Sequence, residues 1–241
     1  MTGIPLLPAH PVGFPDQDSA LSDPDGLLAA GGALTPQWLI EAYGRGIFPW
    51  FENDDEPICW WCPSERGVIV PGQMRITRSL NKRLRNGGFT VTFDHCFDQV
   101  IRACAEHRAG SFGTWITPNM RRAYQELQAM GIAHSVEVWH QDNLVGGLYG
   151  LSLGQMFFGE SMFSRATDAS KVAFYHLHQR LEAWGFTLID CQMMNPHLAS
   201  LGVVPMPRAK FLQLLAANDL TQSRLGPWDE CPQRDQGDPA P

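Results

Sequence analysis

Three apolar stretches in the middle of the chain leave little choice of architecture. Residues 135–140 (SVEVWH), 144–153 (LVGGLYGLSL) and 156–163 (MFFGESMF) are rich in β-branched and aromatic residues, and only Gln-Asp-Asn and Gly-Gln separate them. Connections that short join antiparallel neighbours, because a parallel crossover needs roughly a dozen residues or more. The centre of the chain is therefore expected to be an antiparallel meander.

Around it, strands and helices alternate. FTVTF (89–93) alternates as a strand does, and Phe97, Val100, Ile101 and Cys104 then recur at helical spacing. Thr117-Pro118 opens a helix whose Ala123, Tyr124, Leu127 and Met130 share a face before Gly131. After the meander, Asp168 is expected to cap a helix carrying Ala173, Leu177, Leu181 and Trp184, with Gly185 past its end. FTLIDCQ (186–192) returns as a strand, and Asn195-Pro196 and Pro207 open two further helices. Near the N-terminus, Thr35-Pro36 starts a short helix with Trp38, Leu39, Ala42 and Tyr43 on its apolar face and Gly46 as its stop. The segment GIFPWFENDDEPICWWCPSER (46–66) is too rich in Pro, Trp and acid to predict a regular element, and a boundary is placed near Pro63. The expectation is a mixed α/β (α+β) protein: a small N-terminal domain over 1–63, a larger domain over 64–226, and a polar, flexible tail over 227–241.

Charge divides the chain more sharply than its net value of −7 suggests. Residues 14–59 hold nine acidic side chains and one base, Arg45; residues 67–93 hold no acid, while Arg75, Arg78, Lys82, Arg83 and Arg85 fall close together. Such a run is either a solvated helix face or a patch for phosphates. No stretch has the roughly 18 apolar residues of a membrane span. The opening MTGIPLLPAHPVGFP is not a secretory signal, so a cytoplasmic protein is expected, its six irregularly spaced cysteines reduced.

Two acids sit on apolar strands. Strict alternation in FFGESMFS puts Phe158, Glu160 and Met162 on one side of the sheet, opposite Phe157, Gly159, Ser161 and Phe163. In FTLIDCQ it groups Asp190 with Gln192, roughly 7 Å apart along the strand. A buried acid is either paired with an internal Arg or backbone amide, or aimed at a ligand. Other features carry less. CWWC (59–62) has the spacing of a thiol-disulfide or half-zinc motif, but it precedes Pro63 and has no second pair. The glycines of VGGLYGLSLG suit bulges better than a phosphate cradle, and HLH (176–178) lacks zincin spacing. The tryptophans are either core or platforms for a nucleobase.

Taken in order, GLLAAGGAL, YGRGIFPWF, WWCPSER, GTWIT, HSVEVW, LVGGLYG, FFGESMFS, ASKVAF, LIDCQ, HLASLG and PRAKF resemble the leucyl/phenylalanyl-tRNA-protein transferase family over about residues 14–215. Cys62 stands where serine is expected, and Leu148 where methionine occurs. The resemblance implies a bacterial cytoplasmic enzyme that moves leucine or phenylalanine from tRNA to the N-terminal Arg or Lys of a protein, marking it for degradation. It also implies a larger domain like the N-acetyltransferase (GNAT) superfamily. An aminoacyl ester is already activated, so the reaction needs alignment and the handling of one proton, with no metal or other cofactor.

On this resemblance, Asp190 and Gln192 are the expected catalytic pair, by chemical relay or by positioning. Glu160 is expected to meet the cationic acceptor. Leu148, Phe158, Met162 and Ile189 would line the aminoacyl side-chain pocket, Trp50 and Trp115 would stack on the terminal adenosine, and Arg75, Arg78, Lys82, Arg83 and Arg85 would contact tRNA phosphates. Two rivals are an acyl-CoA-dependent N-acyltransferase, which predicts coenzyme A at the glycine meander, and a non-catalytic RNA-binding module, which predicts binding without turnover.

Overall fold

A computed structural model describes residues 3–109 and 115–229. The N-terminal part contains β1 (Leu6–Leu7), β2 (Leu27–Gly31), α1 (Pro36–Gly44), β3 (Phe48–Pro49) and β4 (Cys59–Trp61), the strands forming a small sheet in the order β1-β2-β4-β3. Helix α1 begins as its sequence predicts, with the Thr35 hydroxyl accepting from the Trp38 N–H. The Trp-rich segment, expected to be irregular, instead supplies β3 and β4. Aromatic packing is the reason: Trp60 stacks on Trp38 at 5.8 Å, Phe14 meets both edge-on, and Trp60 Nε1 donates to the Gly31 carbonyl at 2.8 Å. Burial of these rings outweighs the poor strand propensity around them.

The rest of the chain runs β5 (Glu65–Ile69), α2 (Arg78–Asn86), β6 (Thr90–Phe93), α3 (Phe97–Ala109), α4 (Pro118–Ala129), β7 (Ala133–His140), β8 (Asn143–Leu153), β9 (Met156–Ser164), α5 (Ala169–Ala183), β10 (Leu188–Asp190), α6 (Pro196–Leu201), β11 (Val204–Pro207) and α7 (Arg208–Ala216). Its seven strands lie in the order β11-β5-β10-β9-β8-β7-β6, every neighbouring pair antiparallel except β9 with β10. The meander β7-β8-β9 is the one expected, within a mixed α/β fold. Asp168 does precede α5, but its backbone is left-handed and its carboxylate binds Lys171 rather than capping the helix.

The large sheet separates two cores. Tyr149, Leu151, Phe158, Phe163 and Leu188 pack toward α3, α4 and the N-terminal aromatic cluster, so the small sheet and the large one share a continuous interior. Leu148, Phe157, Ile189 and the inner faces of α2, α5 and α6 form the other core. Residue parity assigns most strand positions to one side or the other, as the pleat requires.

At one place parity fails. Tyr149 pairs with Ser161 and Gly150 with Gly159, so Glu160 is an extra residue on β9, a β-bulge. Beyond it the sides exchange: Phe158 belongs to the N-terminal core, whereas Met162, two residues past the bulge, packs with Phe157 in the other. The grouping of Phe158 with Met162 from strict alternation is thereby corrected. Gly150 is required opposite, because a Cβ there would sit 2.2 Å from the Phe158 carbonyl oxygen.

The start of the polar tail is also firmer than its composition predicts. Trp228 is 2% exposed and stacks on His134 at 3.7 Å; Asp94 accepts from the Trp228 N–H and from His134 Nδ1 at 2.7 and 2.8 Å. Arg180 donates to the Trp228 carbonyl. An aromatic anchor with both backbone groups satisfied fixes this stretch; residues 230–241, including Cys231, lie outside the described residues.

Candidate active site

Strand β10 pairs with β9 only over Leu188–Asp190 against Met156–Phe158. Past that point β9 continues beside β8 alone, while the chain after Asp190 turns toward α6. A cavity of about 660 Å³ lies where the strands part, a volume that fits small-molecule sites. Leu148, Phe157, Met162, Phe174, Leu177 and Ile189 make its apolar wall. Phe48, Pro49, Trp50 and Trp115 form an aromatic wall. Glu160, Ser161 and Gln192 add polar side chains.

Glu160 faces this cavity because the bulge aims it there. Its Oε1 accepts from Tyr43 Oη at 2.5 Å and from Gln192 Nε2 at 2.8 Å, and Tyr124 Oη lies 2.6 Å from Tyr43 Oη. With the Tyr43 proton engaged by the carboxylate, Tyr124 is the donor between the two tyrosines. Burial pushes the Glu160 carboxyl up to about 7, against the pull of the hydrogen bonds that Tyr43 and Gln192 donate. Burial also raises both phenols, and the nearby Glu160 charge raises them further. The carboxyl is therefore close to balance between its two forms at neutral pH, while both phenols remain protonated donors.

Asp190 is placed differently from Glu160. It is fully buried, does not line the cavity, and faces the equally buried Arg66. Arg66 Nε donates to Oδ1 at 3.2 Å, Nη2 to Oδ2, and Nη1 to the Gly46 carbonyl at 3.0 Å, with the guanidinium over the rings of Phe48 and Phe211. Burial works against the Arg66 charge, but the Asp190 carboxylate more than offsets it and holds the guanidinium above its ordinary value. Asp190 Oδ1 also accepts the Gln192 N–H at 2.8 Å. Gln192 has φ of 61°, a left-handed conformation uncommon outside glycine, and its carbonyl accepts from the Gly67 N–H at 2.7 Å. Asp190 and β5 thus hold a strained residue whose amide reaches Glu160.

Of the residues singled out by sequence, Glu160, Gln192, Leu148, Met162, Ile189, Trp50 and Trp115 meet at the cavity. Phe158 does not: it lies on the other side of the bulge, edge-on to Tyr43 at 5.4 Å. Phe157 takes the wall position. Asp190 has the internal Arg partner that is the ordinary fate of a buried acid. Arg75, Arg78, Lys82 and Arg85 are exposed on and before α2, away from the cavity lining, whereas Arg83 is half-buried over Phe89. The start of this segment is tied to α6 by the Arg75 N–H donating to Leu201 O at 2.8 Å. Tyr43, Tyr124 and Arg66 escape a sequence reading because the tyrosines fit the apolar stripes of α1 and α4, and Arg66 ends an irregular-looking segment. Among the described residues no three His, Cys, Asp or Glu gather as a metal site, and Cys59 and Cys62 are free thiols.

Comparison with known proteins bears on this arrangement. The family pattern described as Leucyl/phenylalanyl-tRNA protein transferase matches residues 68–216, and that of the N-terminal domain of the same family matches 32–64. The leucyl/phenylalanyl-tRNA–protein transferase of Chromohalobacter salexigens is 56% identical over 232 residues, covering 96% of this chain and 90% of that protein. That of Thiobacillus denitrificans is 54% identical over 215 residues, 89% of this chain and 94% of the relative. Solved structures are more distant. L-PGS from Bacillus licheniformis has a TM-score of 0.41 at 13% identity, covering 65% of this chain and 50% of that one, and a GCN5-related N-acetyltransferase from Kribbella flavida has 0.39 at 13%, covering 71% and 60%. Identity above half, sustained over nearly the whole chain and across both of its sheets, places this protein in the leucyl/phenylalanyl-tRNA–protein transferase family, as an enzyme that moves an aminoacyl group from tRNA to protein.

Proposed function

We propose that this chain transfers leucine or phenylalanine from its tRNA to proteins beginning with Arg or Lys, in the cytoplasm, so marking them for degradation. The observation that carries this reading is the pairing of Glu160 with Gln192 in a cavity that also has an apolar wall and an aromatic one. Leu148, Phe157, Met162, Phe174 and Ile189 give an apolar wall, with deformable Met162 suited to either Leu or Phe. Trp50 and Trp115 hold the terminal adenosine by stacking.

The acceptor brings two positive charges, its α-ammonium and its first side chain, toward Glu160. An N-terminal amine titrates near 8, so at neutral pH it must lose one proton to become a nucleophile. Glu160, raised to about 7, is matched to take that proton. The amine nitrogen then attacks the ester carbonyl, the new C–N bond forms as the C–O bond to the ribose breaks, the nitrogen's second proton passes to the departing ribose oxygen to give its hydroxyl, and the proton held by Glu160 returns to solvent. The Gln192 amide holds the amine by accepting its N–H at the side-chain oxygen, or donates an N–H toward the developing oxyanion. Asp190 acts as a positioning residue, holding Gln192 through its backbone. The cations of α2, with Arg75, contact acceptor-stem phosphates without reading sequence.

The test is transfer of labelled leucine from tRNA to peptides beginning with Arg or Lys. Glu160→Gln is expected to lower kcat/KM for an Arg-initiated peptide by roughly 10- to 100-fold, the scale of a lost charge-assisted hydrogen bond. Transfer by this variant at the wild-type rate overturns the assignment of Glu160.

A further inference from the structure

The loop between β3 and β4 begins with Trp50, and the segment leading into α4 contains Trp115. These two cavity tryptophans come from parts of the chain 65 positions apart, so something must fix their spacing. Apolar packing does not do so throughout, because a second hollow of about 450 Å³ separates the loop from α4, with Phe51, Asp54, Glu56 and Pro57 on one side and Asn119 and Arg122 on the other. Across it, Asp54 Oδ2 accepts the Asn119 backbone N–H at 3.1 Å. Asn119 lies in the first turn of α4, where the Thr117 hydroxyl already accepts from Met120 N–H at 3.1 Å. A carboxylate there also meets the positive end of the helix dipole. At its far end the loop is also tied to β2, the Ile58 carbonyl accepting the Gly31 N–H at 2.8 Å, and its remaining hydrogen bonds stay local: Asn53 with Asp55 and Glu56, Trp50 N–H with Cys59 O, and Trp61 Nε1 with Trp50 O.

We infer that Asp54 is a positioning residue for the donor: a strut that sets the gap between Trp50 and Trp115 so that the two rings clasp the terminal nucleoside of the aminoacyl-tRNA. This rests on the proposed adenosine role of the tryptophans. It also gives one acid of the N-terminal acidic run a specific task, although Asp54 does not line the cavity.

The experiment uses the full-length enzyme, leucyl-adenosine as minimal donor and an Arg-initiated peptide. Asp54→Ala is expected to raise the donor KM about 3- to 10-fold, the scale of a lost helix-start hydrogen bond, while kcat and acceptor KM stay within about twofold. Asp54→Asn keeps an acceptor oxygen and is expected to recover most of the loss. A donor KM unchanged in Asp54→Ala, but raised in Trp50→Ala and Trp115→Ala, overturns the strut and leaves the adenosine site standing. A donor KM unchanged in the two tryptophan variants overturns the adenosine site itself. Loss of kcat together with a lowered unfolding midpoint in Asp54→Ala, without recovery in Asp54→Asn, reduces Asp54 to a stability element and also overturns the strut.

Discussion

Replacing Asp190 by Asn keeps the side chain's shape and removes its charge, leaving the Arg66 guanidinium buried without a counter-ion. Both partners are 0% exposed, so water cannot take over. Stripping one partner from a buried pair costs about 3–5 kcal/mol. For a chain of this size each kcal/mol moves Tm by roughly 2–4 °C, so the variant should melt about 6–20 °C below the parent. Urea unfolding followed by tryptophan fluorescence gives the same quantity as a midpoint shift at constant slope. The double variant Arg66→Met with Asp190→Leu should regain most of that stability, because an apolar pair of similar volume commonly replaces a buried ion pair without net cost. It should not regain transfer, because the Gln192 N–H then has no Asp190 oxygen to hold it. If Asp190→Asn instead unfolds at the wild-type midpoint while transfer collapses, the carboxylate acts on the substrates directly and the positioning role is wrong.

Four further outcomes follow from the structure. The acid limb of the kcat/KM profile should have a midpoint near 7 as Glu160 ionises, and Glu160→Gln should abolish that limb while keeping the limb of the acceptor amine near 8. The sign for stability is opposite: a carboxyl raised from 4.5 to about 7 in the fold stabilises it when protonated, so unfolding free energy should fall as pH rises across that interval, and less so in Glu160→Gln. Charge reversal at Arg78 and Lys82, both exposed, should raise KM for aminoacyl-tRNA and flatten its salt dependence while sparing leucyl-adenosine; equal damage with both donors refutes that placement. Gly150→Ala, whose Cβ meets the Phe158 carbonyl and the Phe157 ring, should cost on the order of 1–3 kcal/mol and lower transfer through the displaced Glu160, measured by unfolding midpoint and by kcat.

The meander, the helix starts at Thr35, Thr117 and Asn195, and the helices after Asn195 and Pro207 are legible because caps, prolines and alternation are local signals. Local signals also mark Glu160 and Gln192, since polar groups on apolar strands stand out in any reading. What escapes is set by partners distant in the chain. Strands β3 and β4 exist because Trp60 finds Trp38 and Phe14. The bulge at Glu160 depends on the register of β8 against β9, so Phe158 was expected in the pocket that Phe157 lines. Asp190 and Arg66 are 124 positions apart, a pairing that no spacing rule can express.

Arg66 joins more than a charge pair, for its third contact is the Gly46 carbonyl, and Tyr43 and Trp50 flank that glycine closely. The junction between the two sheets thus adjoins the cavity, whose lining takes Phe48, Pro49 and Trp50 from the N-terminal part and Glu160 and Gln192 from the rest, so both halves contribute to the site. A chimaera that exchanges the leading 63 residues with those of a distant relative would succeed only if the transplanted aromatic and carbonyl groups met β5 and α7 in register. Such swaps offer a functional ruler for how tightly the two halves have co-adapted.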